Sequence, residues 1–157
     1  MQAIYLYSEH KGYKKGTKMS VYINWFAVLI AATASMVLAK TWFTPKTFGN
    51  PWRKYTGITP ADSKKAGKGP IILTLLANIV TVVILAALIN ICSIFYQDSS
   101  ILFAALVGFI AWLAFSATTL ATHNAFEQKP QKLTLINNGY QLALFLIISL
   151  IIGWFGA

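Results

Sequence analysis

The sequence predicts an all-α membrane protein, a four-transmembrane-helix up-and-down bundle with short interfacial helices in its first polar connection. Three observations carry this expectation. Hydrophobic residues make up 57% of the 157-residue chain and charged residues 11%, against about 25% charged in a soluble domain. Four apolar runs free of charged side chains occupy Val21–Ala39, Ile71–Phe95, Ile101–Thr122 and Leu133–Phe155. All 13 Lys and Arg residues fall before or between those runs. This composition excludes a soluble domain and a disordered chain. Cys92 is the lone cysteine, so an intrachain disulfide scaffold is excluded too.

The runs hold 19, 25, 22 and 23 residues, and about 20 apolar residues in helical form cross the ~30 Å hydrocarbon core. Lipid offers the backbone no hydrogen-bond partner, so each run is expected to be a helix. Only Tyr96-Gln97-Asp98-Ser99-Ser100 separates the second run from the third, which makes that pair an antiparallel hairpin. Residues 1–18 form a basic tail containing Lys11, Lys14, Lys15 and Lys18. Tyr5 to Ser8 supplies no apolar core for a secretory signal. Met19 stands directly before the first span as an alternative start; otherwise the tail is a basic arm touching anionic lipid. Residues 19–157 make a single membrane domain.

Charge sets the expected orientation. Lys40, Lys46, Arg53, Lys54, Lys64, Lys65 and Lys68 lie between spans one and two, and Lys129 and Lys132 between spans three and four, leaving four basic residues in the tail for the other side. The positive-inside rule then places loops one and three in the cytoplasm and both termini outside, in a plasma membrane or bacterial inner membrane. Aromatic residues fit the same frame, because amphipathic rings collect at headgroup depth. Tyr22, Trp25, Tyr96, Trp154 and Phe155 would mark the outer level, and Trp42, Phe43, Trp52 and Tyr55 the inner one.

Loop one carries its own helix signals. Asn50 is expected to cap a short helix with Pro51 at its first position and Gly57 as its stop. Thr59 and Pro60 repeat the start signal, with Asp62 in the first turn. Two short helices with basic and aromatic residues suit a segment lying on the membrane surface. Its charges either bind anionic lipid head groups, at ~1 kcal/mol per basic residue near the surface, or simply enforce topology. No groove-reading motif accompanies them, so nucleic acid is not an expected partner.

Two stretches resemble a known family. Trp42-Phe43-Thr44-Pro45-Lys46-Thr47-Phe48-Gly49-Asn50-Pro51-Trp52, followed by Gly57, is similar to the first signature of the domain-of-unknown-function 1761 family. Phe126-Glu127-Gln128-Lys129-Pro130, with Leu133 and Ile136-Asn137-Asn138-Gly139-Tyr140, resembles its second. Asn24-Trp25 with Ala27-Val28 matches the usual opening. Phe43 replaces the more usual Tyr, and Gln128-Lys129 departs from the usual basic pattern. The resemblance covers about residues 19 to 156. It implies a small integral membrane protein and no particular activity, with Trp42, Pro45, Phe48, Gly49 and Trp52 as the motif loop.

Polar residues inside the spans are the remaining clue. Ser116, Thr119, His123 and Glu127 recur at three- and four-residue spacing and share one helical face, as do Thr134, Asn137, Asn138 and Gln141, and Thr74, Asn78 and Thr81. The functional reading gathers His123, Glu127, Asn137, Asn138, Gln141, Tyr140, Asn78 and Thr119 into a polar pocket open to the cytoplasm. The plainer reading has them hydrogen-bonding between helices, at ~0.6 kcal/mol each on average. Small residues mark expected packing ridges at Ala27, Ala31, Ser35 and Ala39, at Ala117, Ala121 and Ala125, and at Gly139 with Ala143.

Catalytic signals are thin. There is no nucleophile elbow, metal-spaced cluster or phosphate loop, and no cofactor is indicated. The expected function is a non-enzymatic assembly or accessory module, within a larger membrane complex or as a homo-oligomer. The alternative is an ion or small-molecule transporter formed between copies.

Overall fold

A computed structural model describes residues 21–156; the basic tail and the alternative start at Met19 lie outside the described residues. The elements are α1 (Trp25–Trp42), α2 (Gly49–Thr56), α3 (Pro60–Ala66), α4 (Gly69–Tyr96), α5 (Ile101–Ala111), a π-helical segment (Trp112–Ala117), α6 (Thr118–Phe126) and α7 (Gln131–Phe155). Because α5, the π segment and α6 run on as one rod, four rods of 18, 28, 26 and 25 residues are long and apolar enough to cross a membrane. At 1.5 Å per residue they measure about 27–42 Å. The α1–α4 and α6–α7 connections share one end, here called the basic end.

Local chemistry moves several boundaries. The first rod begins at Trp25 rather than Val21 because Asn24 is its cap: Asn24 Oδ1 accepts from the Phe26 and Ala27 N–H groups at 3.1 and 3.2 Å. The short lead-in is tied down instead, with the Tyr22 N–H donating to Asn90 Oδ1 at 3.2 Å. At the other end of α1, Thr47 Oγ1 donates to the Thr41 and Trp42 carbonyls at 2.7 and 2.6 Å. Those carbonyls belong to a helix C-terminus and have no partner within the helix. The third rod likewise runs four residues past Thr122, to Phe126.

The first short helix corrects one expectation. Asn50 is not its cap: α2 starts at Gly49, with Phe48 in the cap position and no side-chain cap bond. The Gly49 N–H bonds the Thr44 carbonyl at 2.9 Å, which winds Gly49 into the first turn and leaves Pro51 third. Gly57 ends α2 in the left-handed region, φ +74°. For α3 the expected signals hold: Thr59 caps it, Pro60 opens it, and Asp62 completes a reciprocal capping box.

Two caps depend on carboxylates. The Thr59 hydroxyl and backbone N–H hold the Asp62 carboxyl below its usual range. In the α4–α5 hairpin the Ser100 backbone N–H, then its hydroxyl, does the same for Asp98. A lowered folded pKa means that each cap is complete above the unfolded value of ~3.9 and is lost as pH falls through the folded value. Amide protection factors of Thr59 and Ser100, whose N–H groups donate to the two carboxylates, should therefore drop on acidification below about pH 4 when corrected for intrinsic exchange. Protection that stays flat to pH 2 would refute the assignment.

The rods pack around the last of them. α7 touches α1, α4, α5, α6 and the short α2, and it contributes the buried Leu144, Ile148 and Ile152. Helices in lipid associate through close packing rather than water exclusion, so small residues matter at their crossings. Ala27, Ala31 and Ser35 are buried as expected on α1, with Ala39 half-buried at the edge. The tightest crossing is α5 on α7. There a Cβ on Gly108 would collide with Ser149 Oγ, and one on Gly153 would lie 2.7 Å from Ala104 Cβ.

The π segment redirects the end of the third rod. An α-helix continuing the buried Ala104–Gly108–Ala111 ridge would carry Phe115, Thr118 and Thr122 inward. Each i→i+5 turn takes up an extra residue and rotates the remainder of the rod by about 100°. Ala117 and Asn124 are buried instead, while Phe115, Thr118 and Thr122 are exposed. Ala117 keeps its expected packing role, and the other two members of that ridge, Ala121 and Ala125, face outward.

Candidate functional site

The two motif stretches meet at the basic end of the bundle. Trp42, at the last position of α1, stacks on Phe48 with ring centroids 4.6 Å apart. Phe43 meets Trp52 edge-on at 5.7 Å and Tyr140 of α7 at 5.2 Å. Gly139 admits Trp42 against α7, since a Cβ there would lie 3.2 Å from Trp42 Cζ2. Gly49 is buried beneath the Phe43 and Thr44 carbonyls, and Pro45 is exposed at the turn. Aromatic pairs of this kind add about 0.5–1.5 kcal/mol each beyond their buried area. The first motif thus folds into a knot that holds α2 against the second.

The polar residues divide into two groups. One lies within the bundle. Tyr140 and Asn78 are buried, Asn78 Nδ2 donates weakly to Met36 Sδ at 3.7 Å, and the Tyr140 hydroxyl faces Asn78 without reaching hydrogen-bond geometry. Asn138 Oδ1 and Trp42 Nε1 are also buried without a partner among the described residues. Asn137 and Gln141 are half-buried on α7. Thr74 and Thr81 return their hydroxyls to the Pro70 and Ala77 carbonyls of their own helix.

The second group faces away from the bundle. Thr119 and His123 are exposed on α6, where Thr118, Thr119, Thr122 and His123 line a shallow hollow. Glu127 lies just past α6 and pairs loosely with Lys129 at 3.9 Å. The structure therefore does not gather Thr119, His123 and Glu127 with Asn78 and Tyr140. The side-chain bond joining α6 to α7 comes from Asn124, whose Nδ2 donates to Thr134 Oγ1 at 2.9 Å. Sequence reasoning missed Asn124 although it neighbours His123, because only the π segment decides which of the two points inward.

A larger cavity lies elsewhere. Between α1 and α4 at the basic end is a cleft of about 1050 Å³, with Trp52 and Arg53 of α2 at its rim and Tyr140 in its lining. Its walls are otherwise mostly apolar, with Thr33, Lys40 and Thr74 among them, and of the motif stretches only Phe43, Trp52 and Tyr140 reach it. Among the described residues no three His, Cys, Asp or Glu side chains gather as a metal would require.

Comparison with known proteins adds one finding. No curated protein and no solved structure matches this chain. A family model described as "Protein of unknown function (DUF1761)" matches residues 26–153, taking in both motif stretches and nearly the whole of the four rods. The chain belongs to the DUF1761 family.

Proposed function

We propose that the protein is a non-enzymatic integral membrane module that assembles with another membrane protein through the outward face of α6. One observation carries the reading: Thr118, Thr119, Thr122 and His123 line an exposed hollow on a membrane-spanning rod, flanked by the exposed Ala114, Ala121 and Ala125. Polar and ionisable side chains within spans normally face a bundle interior or a partner. Small residues beside them let a second helix backbone approach closely. The Thr118 and Thr122 hydroxyls donate to the Ala114 and Thr118 carbonyls at 2.8 and 2.9 Å, so their own helix already satisfies them. Thr119 and His123 make no side-chain hydrogen bond among the described residues and are available to a partner. π segments such as the one that turns this face outward frequently accompany functional positions.

The non-catalytic part of the reading is supported by how the carboxylates of the described residues are used. Asp62 and Asp98 hold the capping residues Thr59 and Ser100 at opposite ends of the bundle, and Glu127 pairs with Lys129. The proposed orientation puts the basic end in the cytoplasm, with nine Lys and Arg residues in its two connections and the helix ends beside them. The protein would then sit in a plasma membrane or bacterial inner membrane.

A photo-reactive residue in place of Thr119, activated in native membranes, should give a covalent adduct with a different protein. The Ala121→Trp variant, folded by circular dichroism, should lower co-purification of that protein about tenfold. Adducts composed only of this chain would favour the alternative reading, a transporter formed between copies. Absence of any adduct would remove α6 as an interface.

A further inference from the structure

The cleft between α1 and α4 is built unlike the rest of the bundle surface. The buried residues of α1 end at Ser35, and α4 buries none between Gly69 and Ala77. The two helices therefore pack together away from the basic end and leave an open slot toward it. Leu29, Ala32 and Met36 form one wall, and Ile71, Leu75 and Ile79 the other. From Leu29 to Lys40 the slot runs eleven residues along α1, about 16 Å. That is roughly half of the ~30 Å hydrocarbon core, or one leaflet.

Its mouth has a different chemistry. Lys40 of α1 and Arg53 of α2 both line it. The single ion pair among the described residues is Lys129 with Glu127, so neither cation has a carboxylate partner there. Tyr140, only 8% exposed, closes the lining with its ring, while its hydroxyl is buried facing Asn78, away from the cleft. The lining hydroxyls are used within their own helices: Thr33 donates to the Leu29 carbonyl and Thr74 to the Pro70 carbonyl. The Tyr140 ring lies beside Phe43, which follows the last turn of α1.

We propose that this cleft binds one anionic phospholipid from the leaflet at the basic end. Its phosphate lies against Lys40 and Arg53, and an acyl chain fills the slot between α1 and α4. Two unpaired cations give the charge preference, and the leaflet-deep apolar slot selects a lipid over a free phosphate. The site is separate from the α6 face, and its test uses variants that leave that face untouched.

The test is native mass spectrometry of the full-length protein in nonionic detergent, titrated with phosphatidylglycerol or with phosphatidylcholine of the same acyl chains. One phosphatidylglycerol per chain should be retained, with about tenfold or greater preference over phosphatidylcholine. The Lys40→Gln/Arg53→Gln variant should bring the two lipids to near parity. Thr33→Trp, which fills the slot from an exposed position, should abolish retention of either. Leu75→Trp on the facing wall serves if that variant does not fold. Equal retention of both lipids by the unmodified protein would overturn the proposal. So would a phosphatidylglycerol adduct undiminished in the Lys40→Gln/Arg53→Gln variant. Loss of a dimer rather than of a lipid adduct in Thr33→Trp would also overturn it, making a second copy the occupant.

Discussion

Gly49→Ala should unfold the basic end of the protein at a cost of about 3 kcal/mol. The new methyl carbon would collide with the Phe43 carbonyl oxygen and lie 2.6 Å from that of Thr44. Both obstacles are backbone, and both belong to the turn that Thr47 pins to the end of α1. No rotamer change relieves the contact, so the turn must open and α2 must leave α7. The Trp42–Phe48 stack and the Phe43–Trp52 contact would be lost with it. Gly57→Ala is the informative control. Gly57 has φ +74° and open space around it, so alanine there costs only the left-handed backbone term, about 1–2 kcal/mol. Equilibrium unfolding in mixed micelles, followed by tryptophan fluorescence, compares the two. A Gly49→Ala variant no less stable than Gly57→Ala would show that the knot does not hold the basic end together.

Gly108→Ala is the second substitution with a large expected effect, about 2–3 kcal/mol. A Cβ at Gly108 would overlap Ser149 Oγ and sit 2.8 Å from Ser149 Cβ, wedging α5 from α7 along the tightest crossing in the bundle. Because the Ser149 Cβ is itself in the way, Ser149→Ala should give only partial relief in the Gly108→Ala background, whereas Ser149→Gly should restore most of the loss. Ser149→Ala alone should be near neutral, since its hydroxyl is buried with no partner and its removal abandons no hydrogen bond. The double-mutant cycle with Ser149→Gly should thus show a coupling of about 1–3 kcal/mol. Additive effects would mean that the helices part elsewhere.

Much of this architecture is legible in the sequence, for definite reasons. Hydropathy finds the four rods because lipid tolerates no other backbone. Thr59, Pro60, Asp62 and Gly57 announce helix ends because their signals are local. Asn50 misled because the cap of α2 is decided by a hydrogen bond from Gly49 back to Thr44, not by the best capping residue nearby. The direction of Thr119 and His123 was hidden for a different reason. Nothing in Trp112-Leu113-Ala114-Phe115-Ser116-Ala117 marks a π segment: no proline interrupts it, and its extra residue is fitted by packing against α7. The meeting of the two motifs at Trp42, Gly139 and Tyr140 was foreshadowed by their shared end of the bundle. The cleft was not, since its walls are the same Leu, Ile and Met that face lipid anywhere. The register of Gly108 on Ser149 was equally invisible, because small-residue spacing within one helix does not say which helix it meets.

The central place of α7 bears on how the protein is made. A ribosome delivers helices in sequence order, and the helix that touches all the other rods is the last of the described elements to emerge. Until it inserts, Gly108 and Ala104 on α5 have no surface to close on, and the aromatic knot after α1 lacks Tyr140. Before then the early spans can pair only in part, α1 with α4 and α4 with α5, and their high apolar content keeps each helix stable in the bilayer meanwhile. The α7 crossings therefore close late, only once α7 has emerged, and a translation product halted before Gln131 presents the membrane quality-control machinery with open helix faces.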